Sequence, residues 1–271
     1  MNPLVSVVTP SWNQGKYLTD CIRSVMGMGD GLVEHIVVDN CSDDSTPQVI
    51  AKHPHLRALV EKDSGQSDAL NKGIAMAQGE WILWLNADDY LLPGILEKYI
   101  EAVRSDPDVD GVYGHMVFVD ESGEPIRTIY QPQWRFYMAK YGRYFMPSTG
   151  SLYRASLLRE NPLDNDFHMI MDTEWMLRAA RRMRPKRLRR RTVAFRVTDD
   201  NKTSSNIRTG ELTPRHAAER EILDGRYPFY GGAPSGSGLS GRIGLGLIRG
   251  GIRARILTDK LVSRLMDREA R

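Results

Sequence analysis

LVSVVTPSWNQGKYLTDCIRSVMGMGDGLVEHIVVD, residues 4–39, holds a complete strand, helix and strand. Leu4–Thr9 is a short β-branched run closed by Pro10, the pattern of a buried strand ending in a loop. Lys16–Met26 then spaces Leu18, Ile22, Val25 and Met26 as one helical face, and Glu34–Asp39 returns to a buried strand. The cycle continues with a helix near Thr46–Lys52, a strand near Leu56–Val60, a helix over Ser67–Ala77 and a strand over Trp81–Leu85. This alternation predicts an α/β fold with a mostly parallel, Rossmann-like sheet and helices on both faces. Such sheets bind ligands outside the carboxyl ends of their strands.

Outward from that core the pattern loosens. Gly94–Arg104 reads as a helix, Gly111–Asp120 holds strand-like residues, and Glu121–Glu124 forms a turn. Residues 129–153 are aromatic-rich without clear periodicity, and Met171–Met183 reads as a helix with Asp172 and Glu174 near its start. Gly231–Gly241 (GGAPSGSGLSG) has the composition of a flexible linker. Beyond it, Leu245, Ile248, Ile252, Ile256, Leu261 and Leu265 recur near the helical period among Arg249, Arg253, Arg255, Lys260, Arg264 and Arg268. That stretch suits either an anchor on an anionic membrane surface or a helix packing on the catalytic domain or a second subunit.

With 271 residues and 41% hydrophobic content, the chain can bury a sizeable core. A net charge of only +3 gives little drive toward nucleic acid, although basic residues crowd Arg178–Arg191. Two cysteines, Cys21 and Cys41, cannot build a disulfide framework and suit a reducing compartment, so the cytoplasm is the expected location. Cys41 has no histidine at a spacing that would mark a nucleophile. The N-terminus lacks the basic and apolar regions of a signal peptide, and no run reaches the length of a membrane-spanning helix.

Asp39 ends one strand, Asp68 begins a helix, and Asp88 with Asp89 follows the strand Trp81–Leu85, so all four fall toward one edge of the sheet. Paired carboxylates at a strand end call for a cation, and hard oxygen ligands suit Mg²⁺ or Mn²⁺, with a diphosphate completing the coordination. An isolated Asp pair is more often an acidic turn. Its context here is four stretches: VSVVTPSWNQGKYLTDCIRSV, HIVVDNCSDDST, EKDSGQSDALNKGIAMAQGEW and ILWLNADDYLLPG. Together they resemble the family two glycosyltransferases of GT-A fold, over about residues 3–205.

The resemblance implies a nucleoside site at Thr9, Pro10 and Asp39, with Asp68 in the same pocket. It lays the family's DXD-type signature on Asn86, Asp88 and Asp89, with Asp89 the direct metal ligand and Asp88 nearer the ribose and diphosphate. MDTEWMLRAARR resembles the acidic acceptor-side motif and makes Asp172 the general base, with Glu174 in reserve. One departure stands out: many relatives carry Arg-x-His where this chain has Arg196 and Thr198, and His168 is a weak substitute. Trp12 suits either a cover over the donor or a core position.

The expected organisation is a nucleotide-sugar-binding half (1–115), an acceptor half (116–230) and a linker with a basic tail (231–271). The expected reaction is inverting, metal-dependent transfer from a nucleotide-sugar, of UDP type, to a glycan or lipid-linked acceptor in surface polysaccharide or lipopolysaccharide assembly. Two rivals remain at this point. A nucleotidyltransferase would show a Gly-rich basic loop where PSWNQGKY stands, and a noncatalytic sugar-nucleotide binder would fail to turn over donor.

Overall fold

In a computed structural model, residues 2–27, 31–142, 145–198, 201, 211–227 and 238–269 are described. The strands are β1 (Val5–Ser11), β2 (Val33–Asp39), β3 (Arg57–Val60), β4 (Trp81–Trp84), β5 (Tyr90–Leu91), β6 (Gly111–Val119), β7 (Pro125–Ile129), β8 (Ser151–Arg154) and β9 (Pro185–Arg196). The helices are α1 (Gly15–Ser24), α2 (Thr46–Ala51), α3 (Gln66–Met76), α4 (Ile95–Ser105), α5 (Phe136–Gly142), α6 (Ala155–Glu160), α7 (Met171–Arg178), α8 (Pro214–Arg226) and α9 (Gly238–Glu269).

All nine strands join one sheet in the order β3-β2-β1-β4-β8-β6-β9-β5, with β7 on the outer part of β6. The block β3-β2-β1-β4 is parallel, as the alternating pattern predicts. Past β4 the sheet becomes mixed: β8 is antiparallel to both β4 and β6, β6 and β9 are parallel, and β5 and β7 add antiparallel edges. The boundary expected at residue 115 falls inside β6, so the sheet runs unbroken through it.

Burial explains the parallel block. Every residue of β1 and β4 is buried, because helices cover both faces. On β4, Ile82 and Trp84 join the core beneath α3 and α7, whereas Trp81 and Leu83 join the core beneath α4. Gly73 lets α3 lie close to the sheet, since a Cβ there would come within 2.4 Å of Val8 Cγ1.

Elsewhere the sequence misleads. The helix expected over Met171–Met183 stops at Arg178, and Ala180–Arg182 form a separate 3₁₀ turn. The basic run beyond it is β9, in which Arg189 and Arg190 are exposed while Thr192, Val193, Ala194 and Arg196 are buried. Of the expected linker, 231–237 lie outside the described residues and Gly238–Gly241 already belong to α9. α9 packs on the acceptor half through buried Leu245 and Ile252. Arg249 Nε donates to the Tyr141 carbonyl at 2.7 Å, and the Gln133 N–H donates to Asp259 at 3.1 Å. One face of the tail therefore packs on the catalytic domain. Among the described residues, no helix is long and apolar enough to cross a membrane.

Candidate functional site

A cavity of about 540 Å³ opens at the carboxyl ends of β1 to β4. The loop after β1 contributes Trp12 and Gln14, and the loop after β2 contributes Asn40. The loop after β3 contributes Asp63 and Gln66, and the loop after β4 contributes Asn86 and Asp88. The acceptor half closes the cavity with Met116, Phe145, Met146, Ser148, Thr149, His168, Met169, Met171, Asp172 and Phe195, together with Asn201. Pro10, Asn86, Asp88 and Asp172, separated in the sequence, thus share one space.

Three other anticipated residues lie off its wall. Thr9 is buried beneath it, its hydroxyl 2.9 Å from His35 Nε2. Asp39 is fully buried, and its carboxylate accepts from the Ser42 N–H at 2.9 Å and the Ser42 hydroxyl at 2.6 Å. It closes the turn that carries Asn40 to the cavity. Asp68 sits in the first turn of α3, where it accepts from the Ser64 N–H at 2.9 Å and lies 3.6 Å from Lys72. The neighbouring Asp63 and Gln66 reach the cavity instead.

Asp88 and Asp89 have opposite surroundings. Asp89 is fully buried, accepting from the Arg196 N–H at 3.0 Å and from Asn86 Nδ2 at 3.2 Å. Burial, and next the charge of Asp88, push its carboxyl well above the ordinary range, against the pull of the bonds from Arg196, Thr149 and Asn86. Asp89 is therefore not the accessible strand-end ligand that its sequence position suggests. Asp88 lines the cavity, with Asn201 Nδ2 donating to it at 3.2 Å.

The network behind this pair is continuous. Asn86 Oδ1 accepts from Trp84 Nε1 and Gln66 Nε2, both at 2.9 Å, so the amide is held from two sides while its Nδ2 faces Asp89. Arg196 is buried: its Nε donates to the Asp88 carbonyl at 3.1 Å, and its terminal nitrogens reach the Glu121 carbonyl at 2.7 Å and Asp20 at 2.9 Å. Its guanidinium also lies 4.7 Å from the Tyr17 ring centre. Arg196 is thus a clamp on the Asp88–Asp89 loop. Thr198, where the sequence departs from the Arg-x-His pattern, is buried too.

Asp172 is half-buried on the cavity wall. Ser148 Oγ donates to it at 3.0 Å and the Thr173 N–H at 2.7 Å. Burial raises its pKa from the ordinary carboxylate value, and those two bonds oppose the rise. Glu174 faces elsewhere: fully buried, it is held by Arg178 at 2.9 Å and by the Tyr227 hydroxyl at 2.8 Å. That arrangement is a strut, and it holds Glu174 off the cavity wall.

The start of α7 is set from a distance. Glu219 on α8 accepts from the backbone N–H groups of His168, Met169 and Ile170 at 3.0, 2.8 and 3.2 Å. His168, given little weight by sequence, is brought to the cavity against Gly65, whose φ of +131° and 2.6 Å Cβ clearance to His168 Nδ1 leave no room for a side chain. Trp12, 62% exposed, stands at the cavity and outside the core.

The donor set bears on a cation. Among the described residues, no group of three or more His, Cys, Asp or Glu side chains could hold a metal ion. Asp88, the member of the strand-end pair that lines the cavity, fits a Mg²⁺-like ion that takes its remaining oxygens from substrate phosphates and water.

Comparison with known proteins bears on the family and the fold. The family model for "Glycosyl transferase family 2" matches residues 6–179. TuaG of Bacillus subtilis (strain 168), named as a teichuronic acid biosynthesis glycosyltransferase, is 36% identical over 104 residues, covering 36% of this chain and 41% of TuaG. A glycosyltransferase of Mycobacterium tuberculosis (strain CDC 1551) is 31% identical over 252 residues, covering 89% of this chain and 91% of the relative. Among solved structures, Staphylococcus aureus TarS 1–349 in complex with UDP superposes with a TM-score of 0.60 at 22% identity, covering 73% of this chain and 61% of TarS. The mannosyltransferase PcManGT of Pyrobaculum calidifontis, in complex with GDP-Man and Mn²⁺, gives 0.58 at 20% identity over 84% of this chain and 66% of PcManGT. The chain thus spans less than two thirds of both TuaG and TarS. With the GT-A architecture in place and the family model covering most of the chain, this protein belongs to glycosyl transferase family 2.

Proposed function

We propose that the chain transfers a glycosyl group, with inversion, from a nucleoside diphosphate sugar of UDP type to an acceptor hydroxyl. The observation that carries this reading is the joint presence of Asp88 and Asp172 on one cavity, one from the strand-end loops and one from the acceptor half. The nucleotide lies over the loops after β1 to β3, where Asn40, Asp63 and Gln66 offer hydrogen bonds. Asp88 would hold a divalent cation together with the diphosphate oxygens, and that ion would supply positive charge to the departing nucleoside diphosphate.

Asp172 takes the proton of the acceptor hydroxyl as its oxygen attacks the anomeric carbon. Its raised pKa strengthens it as a base, and the Ser148 and Thr173 bonds fix its orientation. Attack from the face opposite the leaving group inverts the anomeric carbon. The likeness to TuaG supports a glycan or lipid-linked acceptor in bacterial surface polysaccharide assembly.

The test is a thermal-shift panel of UDP, GDP, dTDP and CMP with and without Mn²⁺, run beside donor turnover. A ligand that binds the folded state raises the apparent melting temperature. A shift selective for UDP and enlarged by Mn²⁺ supports the donor assignment. Equal shifts for all four, or none, would overturn it, and binding without turnover would mark a noncatalytic sugar-nucleotide binder.

A further inference from the structure

Helix α9 packs on the catalytic body with the face that carries Leu245, Ile252 and Asp259. With that face covered, the opposite one would ordinarily be charged and wet. It is not. Ile243, Leu247, Gly250, Ala254, Leu257 and Leu261 follow one another at spacings of three and four along the helix, a row of roughly 27 Å. Leu247, Leu257 and Leu261 are 73%, 68% and 59% exposed, and the row itself contains no charged residue. Exposed Arg253 and Arg264 border it on one side and exposed Arg255 on the other. Asp259 is turned away to the Gln133 N–H and lies 4.0 Å from Arg187.

We propose that this outer row of α9 lies in the surface of an anionic lipid layer, leucine and isoleucine side chains entering the acyl boundary and the bordering arginines reaching lipid phosphates. The charge pattern selects this occupant. A lipid surface meets apolar side chains and neutralises every bordering arginine at once, whereas a second copy of the same helix would set two arginine borders against each other. The helix lies along the surface and does not cross it. The proposal is independent of the donor reading, because the row shares no residue with the cavity.

The test is vesicle flotation of the full chain, using phosphatidylcholine with and without phosphatidylglycerol. The wild-type protein should float with the anionic vesicles and do so less at high salt. Leu247→Glu/Leu257→Glu should bind them at least about tenfold more weakly, with unchanged donor turnover and melting temperature because both positions are exposed. Arg253→Gln/Arg255→Gln should weaken binding to anionic vesicles alone. Failure of the wild-type protein to float, or equal flotation of the leucine variant, overturns the proposal. A concentration-dependent dimer dissolved by the leucine variant, without flotation, would instead assign the row to a second copy.

Discussion

The wall built from the strand ends offers Asn40, Asp63, Gln66, Asn86 and Asp88, whereas the wall that carries Asp172 is richer in apolar side chains, Met116, Phe145, Met146, Met169, Met171 and Phe195, beside Ser148, Thr149 and His168. Polar groups on the first wall suit a highly charged ligand, whose phosphates remain ionised whatever the pH near neutrality. The apolar second wall does something different: it disfavours the charged form of a carboxylate and so makes it a better proton acceptor. In the proposed reaction Asp88 and Asp172 are thereby given different tasks by their surroundings, a separation of the kind seen wherever paired acids divide binding from proton transfer.

Breaking the apolar wall's chemistry should have the largest effect. Asp172→Asn is expected to lower transfer by roughly a hundred- to ten-thousandfold while nucleotide affinity, read by calorimetry, stays near wild type. In the wild type, transfer should decline as pH drops through the raised Asp172 pKa. Stability runs the other way across that window: a carboxyl whose folded pKa is raised stabilises the fold fully below its ordinary value, and the contribution is lost as pH rises through the folded pKa. The Asn variant should flatten both profiles. Collapse of nucleotide binding in that variant would erase the distinction between the walls.

On the polar wall, Asp88→Asn should cost about a hundred- to a thousandfold in cation-dependent transfer, with weaker Mn²⁺-enhanced nucleotide binding and an unchanged melting temperature. Full Mn²⁺ enhancement in this variant would place the cation elsewhere. Asp89→Asn sharpens the contrast between neighbours, because an amide nitrogen there would face Asn86 Nδ2, donor against donor. It should destabilise by about 1–3 kcal/mol, lowering the melting temperature by about 2–10 °C, with any loss of transfer following from the disturbed loop. An unaltered melting temperature would contradict its structural role. The smallest change is expected for Asp68→Asn, which lies off the cavity: nucleotide affinity within about twofold, and only the weak Lys72 pair lost. A tenfold loss of affinity would return Asp68 to the site.

The parallel block was legible because its strands are buried on both faces and its helices are amphipathic, so periodicity alone separates them. The strand-end position of Asp88 and the resemblance of the motif around Asp172 pointed to two residues that both line the cavity. Such reasoning failed where environment, not position, decides. Asp88 and Asp89 are adjacent and chemically identical, yet the Arg196 N–H, 107 residues further along the chain, draws one of them inward. Asp68 belongs to a motif with a sequence signal yet bonds Ser64 and Lys72, whereas Asp63, in the loop after β3, lines the cavity without such a signal. β9 has no clear signal because its successive basic residues, Arg189 and Arg190 exposed and Arg196 buried, break the apolar alternation of a strand. The cradle made by Glu219 under His168–Ile170 has no local signal at all, since its partners lie about fifty residues apart.

The insertion of β8 between β4 and β6 has a consequence for how the chain is made. As a polypeptide emerges from the ribosome, β1 to β4 can associate while Trp81–Trp84 still presents a bare, wholly apolar margin, because its partner Ser151–Arg154 has yet to be synthesised. Until then nothing within the nascent chain covers that margin, and another half-made copy could pair with it. The strand arrangement that places both halves of the cavity on one sheet therefore creates an interval of vulnerability during translation, and chaperone protection should matter most in that interval.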